Sequence, residues 1–110
     1  MSPVSLGEFE QVVLLAILRL GDGAYGVSIR KEIAARTERE PSPGALYTTL
    51  DRLEERGLVS SSLGDPTPAR GGRAKRFFKV SPNGLEAVAR VQLGYRRLLE
   101  GVNLPGVSHA

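Results

Sequence analysis

The stretch PSPGALYTTLDRLEERGLV, Pro41 to Val59, governs how the rest of the chain is read. Ser42 and Pro43 form a helix start: a serine hydroxyl accepts from an unpaired backbone N–H, and proline lacks the N–H that would go unsatisfied at the first helical position. Leu46, Leu50 and Leu53 then recur at helical spacing, and Gly57 follows as a C-terminal cap. The anomaly is the first turn. Ser42, Pro43, Gly44 and Ala45 carry almost no side chain, although a glycine costs a helix roughly 1 kcal/mol relative to alanine. Tyr47, Thr48, Asp51, Arg52 and Glu55 face away from the leucine stripe. A helix that opens bare and then presents Tyr47, Thr48 and Arg52 suits a large anionic partner. Its end exposes N–H groups and positive dipole, and phosphates favour both.

Upstream, Ser5 to Leu20 is expected to be the first helix, with Glu8 three residues after Ser5 in capping-box spacing. Leu6, Phe9, Val13, Ile17 and Leu20 make one stripe, while Val12, Leu14, Leu15 and Leu18 spread apolar surface around the circumference. Such a helix must touch more than one neighbour. Gly21 to Gly26 is a turn by composition, and a second helix follows from about Gly26 to Thr37. Downstream, LVSSSLG and RAKRFFKVS alternate as strands around a Pro/Gly-rich loop. Phe77 and Phe78 fall on opposite strand faces, so one belongs to the core. Ser81-Pro82 repeats the helix-start signal, opening a last helix to about Glu100. There Leu85, Val88, Gln92, Tyr95, Leu99 and Val102 stand at heptad spacing. Gly84 and Gly94 weaken it, for which close packing is the one account.

This order predicts a mainly α (α+β) fold: a winged helix-turn-helix with a C-terminal dimerisation helix. Residues 1–81 are expected to be the winged-helix DNA-binding domain, 82–102 the dimerisation helix and 103–110 a flexible tail.

A chain of 110 residues with 41% hydrophobic and 25% charged residues is one globular domain. No apolar run approaches the ~20 residues of a membrane span, and no secretory signal pattern is read, so no membrane partner and a cytoplasmic location are expected. The net charge is only +3, but Arg70, Arg73, Lys75, Arg76 and Lys79 cluster in ten residues without an acidic one. The remainder holds ten basic against twelve acidic residues. A local basic patch on a near-neutral body points to an anionic partner, although a solvated strand face is the plainer reading of any charge run. The absence of cysteine, with the one histidine in the tail at His109, excludes thiolate metal sites and leaves no nucleophile–base pair. No phosphate-cradling glycine loop follows a strand. No enzymatic activity and no cofactor are expected.

Three blocks, LGEFEQVVLLAILRLGDGAYGVSI, SPGALYTTLDRLEERGLV and GGRAKRFFKVSPNGLEAV, resemble in order and spacing the motifs of PadR-type winged-helix transcriptional regulators, from about Leu6 to Val91. The resemblance implies a homodimeric repressor whose third helix and wing hold double-stranded DNA and whose C-terminal helix makes the dimer. It places Tyr47 at the recognition-helix tyrosine, Gly71-Gly72-Arg73 at the wing motif and Tyr25-Gly26 at the turn before the second helix. Larger members carry a further multi-helix domain; one helix stands there in this chain, as in the short subgroup.

The residues expected on DNA are therefore Tyr25, Ser42, Gly44, Ala45, Tyr47, Thr48, Arg52, Arg70, Gly72, Arg73, Lys75 and Arg76. Those expected between two copies are Leu14, Leu15, Leu18, Leu85, Val88, Tyr95, Leu99 and Val102. The plainer readings stand beside these: Tyr47 as a half-buried helix residue, Arg52 in ion pairs with Asp51 and Glu55, and the terminal stripe as intramolecular core. A small-molecule effector, of a kind the sequence does not name, would lie near Tyr95 and the first helix. The alternative function is a winged-helix module that docks an acidic protein without reading DNA.

Overall fold

Helix α1, Glu8–Leu20, runs through the middle of the computed structural model, which describes residues 5–64 and 74–107. It does not begin at Ser5. Gly7 is the N-cap, and its N–H donates to the Glu10 carboxylate at 2.7 Å. The Arg56 guanidinium, from the end of the third helix, donates to both oxygens of that carboxylate at 3.0 and 2.9 Å. Glu10 thus closes one helix and ties it to another, a double role open to Glu10 and not to Glu8.

Helix α2 spans Gly26–Arg36 and α3 spans Pro43–Glu55. Tyr25 caps α2, its N–H donating to Ser28 Oγ at 2.9 Å. The α2 end is closed by Thr37, whose N–H and Oγ1 both donate to the Ile33 carbonyl, at 2.9 and 2.8 Å. Arg30 Nε then donates to the Pro41 carbonyl at 2.9 Å, which fixes the turn between α2 and α3. Ser42 Oγ accepts from Ala45 N–H at 3.1 Å, as the Ser42-Pro43 pair predicts. Gly57, at φ +73°, ends the α3 segment in the left-handed region that favours glycine.

Strands β1, Val59–Leu63, and β2, Arg76–Val80, form an antiparallel pair in register from Val59↔Val80 to Leu63↔Arg76. On its other edge β2 bridges through Phe77 to Tyr25, and Phe78 N–H donates to the Ala24 carbonyl at 2.8 Å. The wing is therefore stitched to the turn before α2. Phe78 is the core member of the Phe77-Phe78 pair.

Helices α2 and α3, strand β2 and helix α4, Pro82–Leu99, all pack on α1. This arrangement corrects two sequence expectations. Leu14 (0% exposed) and Val88 (5%) are core residues, not partner contacts, because α1 and α4 turn these faces inward within the chain. Leu15 and Leu18 do remain exposed.

The stripe expected on α4 lies partly off its buried face, with Val88 and Tyr95 on that face and Leu85, Gln92 and Leu99 beside it. The buried positions of α4 are Gly84, Ala87 and Val88. Helical spacing continues that face as Val91, Tyr95 and Leu98, and Val102 lies beyond the helix, which ends at Leu99. Past Val91 the core ends, and Leu98 is 78% exposed while Leu99 is partly buried.

Gly84 has a firm packing reason. A Cβ there would overlap the Leu58 carbonyl oxygen and lie 2.8 Å from Val80 Cγ1. Backbone cannot yield as a side-chain tip can. Gly84→Ala is expected to destabilise the fold by about 2 kcal/mol, lowering the melting temperature by roughly 10 °C, as read by circular dichroism. Among the described residues nothing explains Gly94, whose Cβ position faces open space.

Candidate nucleic-acid interface

Three features meet on one side of the molecule: the bare start of α3, the start of α2, and the base of the wing. Ser42, Pro43, Gly44 and Ala45 are all exposed, and a Cβ on Gly44 would meet nothing within 4 Å. The glycine answers to no internal packing. Thr48, Asp51, Arg52 and Glu55 are exposed on the outer face, opposite the buried Leu46, Leu50 and Leu53. Arg52 makes no ion pair among the described residues, so the Asp51 and Glu55 partners considered for it are not taken up.

Tyr47 is 40% exposed and leans across to α2. A Cβ at Gly26 would overlap its hydroxyl, with ring carbon Cζ 2.8 Å away. The first residue of α2 is thus glycine so that the Tyr47 ring can lie over it. This contact, which sequence spacing does not reveal, links the two helix starts into one surface.

At the wing base, Lys75 Nζ sits 3.9 Å from the centroid of the Tyr25 ring, and Phe77 meets that ring edge-on at 5.6 Å between centroids. Cation and ring attract through the ring quadrupole. Tyr25 is half-buried in this stack. Arg76 is turned the other way, toward α3, where its guanidinium binds Asp51 and Glu54. Arg70, Gly72 and Arg73 lie outside the described residues. The sequence treats Lys75 and Arg76 as one patch; strand alternation, readable from Arg76, Phe78 and Val80, sends them to opposite faces.

Among the described residues no group of histidine, aspartate and glutamate could hold a metal ion, and no helix is long and apolar enough to cross a membrane. A cleft lined by Ile17, Leu18, Phe78 and Leu85 lies behind the wing, and Tyr95 is not part of it.

The family profile of PadR-like transcriptional regulators matches residues 14–90, a span that includes α2, α3 and both strands of the wing. The chain belongs to the PadR-like family of transcriptional regulators. It is 34% identical over 85 residues to the transcriptional regulator Rv3488 of Mycobacterium tuberculosis, covering 77% of this chain and 74% of that one. Among solved structures, a PadR family regulator from Clostridium difficile superposes with a TM-score of 0.69 at 21% identity, covering 86% of this chain and 95% of that one. A PadR-like transcription factor from Bacteroides fragilis gives 0.68 at 24% identity, covering 86% of each chain. These two likenesses concern the fold, a winged helix-turn-helix. As a PadR-like protein the chain is a DNA-binding regulator of transcription and not an enzyme.

Proposed function

We propose that this PadR-like protein is a cytoplasmic repressor that binds a pseudo-palindromic operator as a homodimer. The observation that carries the reading is the start of α3: exposed, built of small residues and capped by Ser42, with Thr48 and Arg52 on the outward face. Phosphate sits at the positive end of the α3 dipole, beside the Gly44 N–H, while Tyr47 and Thr48 reach base edges or thymine methyls in the major groove. Lys75 and the basic residues Arg70 and Arg73 follow the backbone into the neighbouring groove.

A single module of this size offers limited contact, so a useful affinity requires two half-sites engaged together. The continuation of the α4 core face, Val91, Tyr95 and Leu98, with exposed Val102 just past the helix end, supports pairing with a second copy, with Leu15 and Leu18 of α1 as its neighbours. Repression asks for no surface beyond the one that occupies the operator. Selection of bound fragments from the source genome by the purified protein tests the reading. It should recover a twofold-related sequence with half-site centres about one helical turn, or a multiple of it, apart. Recovery of no preferred sequence, or of one unpaired half-site, would overturn it.

A further inference from the structure

The inner face of the wing changes character along its length. Val59 and Val80 are buried against the core, and Phe78 follows opposite Ser61. Arg76 then stands opposite Leu63 at the far end. Each donor edge of the Arg76 guanidinium is committed. Nε donates to Ser61 Oγ at 3.1 Å, Nη1 to Asp51 Oδ1 at 3.4 Å, and Nη2 to the Glu54 carboxylate. Ser61 Oγ donates in turn to the other Glu54 oxygen at 2.8 Å, closing a ring of three side chains. The guanidinium also lies over the Phe78 ring, 4.9 Å from its centroid. Planar, forked arginine is suited to this; an ammonium could not meet the same set of acceptors at once.

The location matters more than the bonds. Asp51 and Glu54 belong to the helix that faces DNA, where carboxylates would repel phosphate. They are retained there with a cation from the wing between them.

We propose that Arg76 is a positioning residue: with Asp51, Glu54 and Ser61 it clamps the wing to α3, so that helix and wing meet the duplex at one fixed angle. This rests on the DNA-reading role proposed above. Arg76 acts through the geometry of its neighbours and is not itself a phosphate contact.

The reading makes predictions opposite in sign to those of simple charge. Removing a carboxylate beside phosphate should strengthen binding, and lysine should replace arginine freely at a phosphate contact. The clamp instead predicts loss in both Glu54→Gln and Arg76→Lys.

The test has two arms, both on the intact chain. The first needs no DNA and follows amide hydrogen exchange at Gly64, whose N–H donates to the Lys75 carbonyl at 2.7 Å beyond the clamp. In both variants Gly64 should exchange about tenfold faster, while Phe78, held by Ala24 at the wing base, stays at its wild-type rate. The second compares the duplex recovered by fragment selection with a random-sequence duplex of the same length. The ratio of the two affinities should fall about tenfold in each variant. Unchanged Gly64 exchange, or stronger binding by Glu54→Gln with a wild-type ratio, would overturn the clamp. A wild type that treats both duplexes alike would overturn the DNA reading instead, and the exchange arm would still decide whether the clamp exists.

Discussion

Gly44→Asp should melt at least as high as the wild type and yet bind the operator about 100-fold more weakly. The two effects have separate causes. Within the chain the substitution is favourable: Gly44 lies in the first turn of α3, away from the positive-φ region, and a Cβ there meets open space. Replacing a helical glycine removes backbone freedom from the unfolded chain, and a carboxylate in a first turn gains about 0.3–1 kcal/mol from the helix dipole. Against DNA the same carboxylate stands where phosphate is to sit. It takes the phosphate's place at the positive end of the helix dipole and adds like-charge repulsion. Thermal unfolding by circular dichroism and titration of a labelled operator read the two quantities on one preparation. A stabilised variant with wild-type affinity would place DNA elsewhere on the surface.

The second large effect concerns Leu98. Among the described residues it is the most exposed large apolar side chain, at 78%, so a carboxylate there disturbs no internal packing. Between two α4 helices it would be an unpaired buried charge, which costs far more than the packing lost. Leu98→Asp is therefore expected to give a folded monomer whose operator affinity drops about 1,000-fold, toward its non-specific level. Sedimentation gives the mass and circular dichroism the fold. A dimer of wild-type mass would move the interface to another face, with Leu85 and Leu93 the remaining exposed apolar residues on α4.

Local signals in the sequence were reliable guides where the physics is local. Ser42-Pro43 and Ser81-Pro82 both open helices as read, because a capping hydroxyl acts within three residues. Gly57 ends the α3 segment because it supplies a left-handed backbone. The start of α1 was misread for a distant cause. The Ser5–Glu8 spacing points to a cap there, but the cap is Gly7 with Glu10, which Arg56 holds from the far end of α3. Periodicity located an apolar face on α4 but not its centre. Large apolar residues carry the periodic signal, whereas two of the three buried positions are the small residues Gly84 and Ala87. Leu14 reads as spare surface because a sequence does not say how many neighbours a helix has. The roles of Gly26 and Arg76 were hidden for the same reason, since Tyr47 and Glu54 reach them from another element. The bare first turn of α3 was legible because its oddity lies in what is missing locally.

That bare turn, with the face beside it, is the centre of the account, and Thr48 tests it most directly. Fragment selection repeated with Thr48→Ala, beside the wild type, should recover an altered site. Preference should change at one or two base positions, by roughly 1–3 kcal/mol each, with the remaining positions and the half-site spacing retained. Recovery of the wild-type site at unchanged affinity would mean that α3 is not the element that reads DNA.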